Sequence, residues 1–137
     1  MEKITGDEFK KRLIDLCVRS NLEYLPRKIK DRYILLKSVV LVFESGREYS
    51  EKEINDKLKS WLEKVNKNAR INHVMLRRLL IDEGHLTRKM DGSKYSVNIS
   101  DTLQNMFESG VEKMDIFEII DKARQEIEDR RNKYIKK

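Results

Sequence analysis

The side chains with chemical potential in this sequence are cations. Arg70, His73, Arg77 and Arg78 fall in one short stretch, Lys89 and Lys94 flank an Asp91-Gly92 pair, and Lys28 and Lys30 open an earlier apolar run. Guanidinium groups bind phosphate or a guanine edge through paired N–H donors, and ammonium groups bind phosphate as point charges. Other chemistry has little to work with. His73 and His85 are the only histidines and Cys17 the only cysteine, so there is no metal-ligand spacing, and neither a metal nor a cofactor is expected. Cys17 falls on an apolar stripe, which suits an inert, buried thiol. The basic residues before the central apolar run lack the glycines of a phosphate-binding loop. Acid pairs such as Asp82-Glu83 and Glu128-Asp129 lie on charged helical faces and are expected to be solvated. The expectation is a binding protein, not an enzyme.

Charge is unevenly spread along the 137 residues, whose formal net charge is +6. Residues 1–24 carry five basic and five acidic groups, residues 25–98 carry 17 and 10, and residues 99–137 carry eight and nine. The excess of +7 in the middle segment divides the chain into an N-terminal helix with its link (1–24), a basic domain (25–98) and a C-terminal helical extension (99–137). A basic domain between neutral flanks suits a polyanionic partner. The lone cysteine fits a reducing compartment, and the first residues lack a secretory pattern. The longest apolar run, 34–43, is broken by Lys37 and Ser38, so no membrane span is expected and the cytoplasm is the expected location.

Periodicity and capping signals supply the elements that must hold these cations. Thr5 with Glu8 reads as a helix start, and Phe9, Leu13, Leu16 and Cys17 predict a helix over about 6–19, packed on the domain or on a second copy. Residues 28–43 form the most apolar helix and the expected centre of the domain. The cations in its first turns oppose the helix dipole, a conflict that phosphate or solvent would relieve. Gly46 ends it. Ser50 and Glu53 make a capping box, with Tyr49 and Ile54 as the hydrophobic staple, for a helix running to about Val65. A polar link at 66–68 leads to a helix over about 71–83. Met75, Leu76, Leu79 and Leu80 centre its packed side, Arg70, His73 and Arg77 lie opposite, and Arg78 sits on the shoulder.

Gly84 then leads into a hairpin over 85–97. Asp91-Gly92 predicts a two-residue type I′ turn that pairs Lys89 with Lys94, Arg88 with Tyr95, Thr87 with Ser96 and Leu86 with Val97. Alternation puts Arg88 across Tyr95 on the packed face and leaves Lys89 and Lys94 as opposed like charges on the other, a cost that a phosphate backbone would remove. A short helix over about 101–109 and a long one over about 115–134 follow. The long helix has a thin apolar stripe and is expected to be half-docked or paired with a second copy; Lys136 and Lys137 are expected to fray. The order is mainly α with one small β-hairpin: a winged helix-turn-helix flanked by terminal helices.

Leu25-Pro26-Arg27-Lys28, Tyr49-Ser50-Glu51-Lys52-Glu53-Ile54-Asn55, His73, Leu76-Arg77-Arg78, Gly84, Leu86, Arg88, Asp91-Gly92 and Tyr95 occur in a characteristic order and spacing. Together they resemble a prokaryotic domain-of-unknown-function family, found alone or fused behind helix-turn-helix domains in predicted transcription regulators. The resemblance covers roughly residues 24–97. It implies a winged-helix-like domain in a bacterial cytoplasmic protein with no established biochemical activity, and it supplies no binding residues. Arg77, Arg78, Arg88 and Tyr95 serve equally well in a structural network.

The functional expectation is a transcriptional regulator that binds double-stranded DNA, with a homodimer through helices 6–19 or 115–134. The helix over 71–83 enters the major groove and offers Arg70, His73, Arg77 and Arg78, while Lys89, Lys94, Lys28 and Lys30 hold phosphates. Neutralising about five phosphates gives a log–log salt slope of about −4 to −5. Double-stranded RNA shares the phosphate contacts. The alternative is a winged-helix protein-interaction or dimer scaffold, in which Arg77 and Arg78 pair with Glu51, Glu53 or Glu83 and lock helices together.

Overall fold

The computed structural model describes residues 2–20, 22–98 and 101–135. Helix α1 (Gly6–Ile14) is followed by α2 (Ile29–Val40), α3 (Glu51–Lys64) and α4 (His73–Asp82). Strands β1 (Leu86–Arg88) and β2 (Tyr95–Val97) form an antiparallel hairpin, and α5 (Asp101–Gln104) and α6 (Ile116–Ile135) close the chain. The fold is mainly helical with one small hairpin. No helix of the described residues is long and apolar enough to cross a membrane. Lys136 and Lys137, expected to fray, lie outside the described residues, as does Asn21 in the link before α2.

Helix α2 forms the core's axis because every residue over 34–40 is buried, including Ser38 and all but the tip of Lys37. A buried serine is tolerated where its hydroxyl is satisfied. Ser38 Oγ donates to the Leu35 carbonyl at 2.5 Å and accepts from the indole N–H of Trp61 at 3.2 Å, which fastens α3 to α2. Helix α3 has the capping box expected of it, with Glu53 N–H on Ser50 Oγ and Ser50 N–H on Glu53 Oε1. Its apolar face buries Ile54, Leu58 and Trp61.

The terminal segments share this core. Phe9, Leu13 and Leu16 of the first helical stretch are buried within the chain, as are Ile116 and Ile120 of α6. Ile4 runs beside Phe107 in a parallel bridge, its N–H bonded to the Met106 carbonyl at 2.8 Å and its carbonyl to Glu108 N–H at 2.9 Å. Arg124 of α6 donates to the Lys64 carbonyl and, at 3.1 Å, to the Val65 carbonyl. A cation thus closes the C-terminal end of α3, where bare carbonyls and the helix dipole favour one. Beyond Ile127 the side chains of α6 up to Tyr134 are exposed, so the long helix is half-docked.

Several local details depart from the sequence reading. The stretch after Ile14 loosens into a π-helical turn, Asp15–Arg19, so only the first part of the expected 6–19 helix is α. The expected helix over 101–109 is a single turn, Asp101–Gln104, and Ser109–Lys113 form a 3₁₀ turn instead of Gly110 ending a helix. The hairpin register is the expected one, but its turn is not. Gly92 N–H bonds to the Lys89 carbonyl at 2.8 Å, and Ser93 N–H turns onto Asp91 Oδ1 at 2.9 Å. The reversal is therefore a four-residue loop over 90–93, which preserves the register because two-residue and four-residue loops share parity. The Asp91 carboxylate selects it by accepting both the backbone N–H and the hydroxyl of Ser93.

Candidate nucleic-acid interface

Helix α4 starts at His73, two residues later than its periodicity suggested, because Asn72 caps it with Oδ1 accepting from Met75 N–H at 2.9 Å. Leu76 and Leu80 then point into the core, and Leu79 and Ile81 pack at its margin. The placement of Met75 is a correction. It was expected at the centre of the packed side and is 55% exposed, beside Val74 at 41%. The outward face of α4 is Val74, Met75, Arg78 and Asp82.

Arg77 is the second correction. Expected on the outward face, its side chain is only 16% exposed. Its Nη1 donates to Asn55 Oδ1 at 2.6 Å and pairs with Glu51 Oε1 at 3.2 Å, both on the opening turns of α3. Its guanidinium lies 5.8 Å from the centroid of the Tyr95 ring, within cation–π range. Arg77 thus ties α4, α3 and the hairpin to one another.

The hairpin is fixed to the start of α3 by main chain. Tyr49 and Tyr95 exchange both N–H···O=C bonds at 2.8 Å, which adds a one-residue third strand to the hairpin. Arg88 covers the Tyr95 ring at 5.7 Å, as alternation required. Its guanidinium also packs on Gly92, where a Cβ would lie 2.5 Å from Nη2. On the opposite face Thr87 and Ser96 join hydroxyls at 3.0 Å. The expected conflict between Lys89 and Lys94 is relieved from within the chain, because Glu48 Oε2 sits 2.9 Å from Lys89 Nζ. That hydrogen bond raises the ammonium's pKa above its ordinary value.

Two hollows flank the hairpin. One of about 250 Å³ runs between α4 and the hairpin and is lined by Val74, Arg77, Arg78, Ile81, Asp82, Arg88 and Tyr95. The other, of about 440 Å³, is bounded by Gly46, Glu48, Thr87, Lys89, Lys94 and Ser96, and Arg88 borders both. Arg77 and Arg78 therefore face one hollow and Lys89 and Lys94 the other.

The remaining candidates lie elsewhere. Lys30 pairs with Glu8 of α1 at 2.6 Å, so an acid of the chain answers the cation there. Asp31 in the same turn is held by Arg12 through bonds of 3.1 and 2.9 Å. Lys28 is exposed and makes no ion pair among the described residues. Arg70 Nε meets Glu23 Oε2 at 3.1 Å, and its backbone N–H bonds to the Glu23 carbonyl. His73 is half-buried at the first turn of α4. With Lys30, Arg70, Arg77 and Lys89 each answered by a glutamate, the lysines and arginines of the candidate set free of ion pairs among the described residues are Arg78, Lys94 and Lys28. Arg88, read from sequence as structural, covers Tyr95 as expected and also makes no ion pair among the described residues.

No group of three or more His, Cys, Asp or Glu comes together as a metal site among the described residues. Burial pushes the Cys17 thiol up to about 12, which keeps it protonated and unreactive.

The model of an uncharacterized protein family conserved in bacteria (DUF2087) matches residues 21–97, more than half of the chain. The chain belongs to the DUF2087 family. The DUF2087 match runs from the link before α2 to the last residue of β2 and contains all eight candidate residues, while α1, α5 and α6 lie outside it. No curated protein and no solved structure matches the chain.

Proposed function

We propose that this DUF2087 protein binds duplex DNA through the surface made by α4 and the hairpin, a winged helix-turn-helix, in the service of transcription control. The carrying observation is that Arg78 from α4 and Arg88 from the hairpin line one groove without an ion-pair partner among the described residues. Asp82 is the one acid in that lining, so the groove keeps a positive balance. The one-residue strand at Tyr49 supports the winged arrangement, since it seats the hairpin against the helix pair. Lys94 adds a point charge on the wing. Of the two terminal helices, only the exposed end of α6 is open to a second copy, because the apolar stripe of α1 is occupied by the chain's own core.

Fluorescence anisotropy with a labelled duplex tests this. Wild-type protein is expected to bind at about 50 mM salt, and the Arg78→Ala/Arg88→Ala pair to bind at least tenfold more weakly with an unchanged circular-dichroism spectrum. Absence of wild-type binding at that salt overturns the proposal. The exposure of Val74 and Met75 on the same face favours a second reading, a protein-interaction surface, which absence of duplex binding would bring forward.

A further inference from the structure

We infer that the protein holds DNA by its phosphate backbone and does not read base sequence through α4. The inference rests on the reading of α4 and the hairpin as the contact surface. Base edges are distinguished by directed donors and acceptors, whereas a phosphate accepts any well-placed cation. Several groups at or near α4 able to read bases are engaged within the chain, which leaves Arg78 and the half-buried His73 as the others on the helix. Arg77 commits Nη1 to Asn55 and Glu51, at 2.6 and 3.2 Å. The Asn72 amide oxygen is the helix cap, at 2.9 Å from Met75 N–H. Arg70 precedes the helix and is held by Glu23.

What α4 presents outward at its start is apolar. Val74 and Met75 are 41% and 55% exposed and offer no strong donor or acceptor. Arg78 lies further along, in the groove it shares with Arg88, so cationic residues from two separate elements line one hollow. At about 250 Å³ the groove falls below the roughly 300–1,000 Å³ of an ordinary small-ligand site. Such a surface positions the protein on duplexes of any sequence alike, and any operator choice comes from a partner.

The test uses the full chain in two measurements: selection from a random-sequence duplex library, and anisotropy on AT-rich, GC-rich and mixed duplexes with wild type and Arg78→Ala. The expected result is no enriched motif, affinities within about threefold of one another, and an equal proportional loss on all three duplexes for Arg78→Ala. An enriched motif bound more than about tenfold better than the library average overturns the inference and leaves DNA binding standing. A loss for Arg78→Ala confined to guanine-containing duplexes does the same. Failure to bind any duplex removes the contact surface itself, and the inference falls with it.

Discussion

Arg77 makes its contacts with α3 and the hairpin, and this decides what its loss should do. Truncation to Ala leaves Asn55 and Glu51 without their cation and uncovers Tyr95, which should cost about 1–3 kcal/mol by urea denaturation. Arg78→Ala, on the outward face, should stay within about 0.5 kcal/mol. Equal effects would mean that Arg77 does not act as a brace. A second residue-scale prediction concerns His85, which is buried, with no hydrogen-bond partner for Nε2 among the described residues and its pKa lowered by desolvation. Glu83 opposes that shift and Lys37 reinforces it. The unfolded chain binds the proton more tightly than the native one, so the contribution is complete above the unfolded value near 6.5 and is lost as pH falls towards the folded pKa. Urea midpoints should drop between about pH 7 and pH 5, and His85→Leu should flatten that slope. The surroundings of His85 were hidden in the sequence, whereas the pairing of Arg77 with Glu51 was among the partners that the interaction-module alternative named. Arg88 over Tyr95 was legible because strand alternation fixes it, whereas the facing of Arg77 depends on where α4 begins and on which turn of α3 it meets.

Helix caps were the clearest sequence signals for whole elements. Ser50 with Glu53 forms as expected, and Thr5 caps its helix by accepting from Glu8 N–H, because each is a contact between residues three apart. The π-helical turn after Ile14 and the single turn of α5 were not legible. The late start of α4 rests on a cap of the same local kind, Asn72 on Met75 N–H, which outcompetes the apolar periodicity that begins at Ile71. The same distinction makes Arg124 informative. Its bonds to the last carbonyls of α3 join segments about sixty residues apart, and no local pattern announces them. Arg124→Ala should cost about 1–2 kcal/mol in thermal or urea unfolding, from the charged hydrogen bonds and the loss of a favourable charge at a helix C-terminus. Arg130→Ala, on the exposed end of α6, is the control and should change little. Equal stability for the two variants would show that α6 is held by its apolar residues alone.

At the scale of the molecule, counting charges along the chain overstates the cations that an incoming polyanion meets. Glu8, Glu23, Glu48 and Glu51 come from three separate segments and answer Lys30, Arg70, Lys89 and Arg77. The excess of +7 over residues 25–98 is real, but its distribution in space was not legible from the sequence. With Arg78, Arg88 and Lys94 as the available contacts, the log–log salt slope for duplex binding should be about −3, shallower than the −4 to −5 expected from about five phosphates. Glu48 offers a way to test that difference. It holds Lys89 at 2.9 Å on an exposed surface, where ion pairs are weak and exchangeable. Glu48→Gln releases that ammonium and removes a negative charge from the wing, so it should tighten binding at low salt and steepen the slope by about one, to about −4. Paired titrations of wild type and Glu48→Gln from about 50 to 200 mM salt measure both slopes. Equal slopes would place Lys89 outside the change in phosphate contacts, and a weaker-binding variant would mean that Glu48 supports the wing more than it masks it.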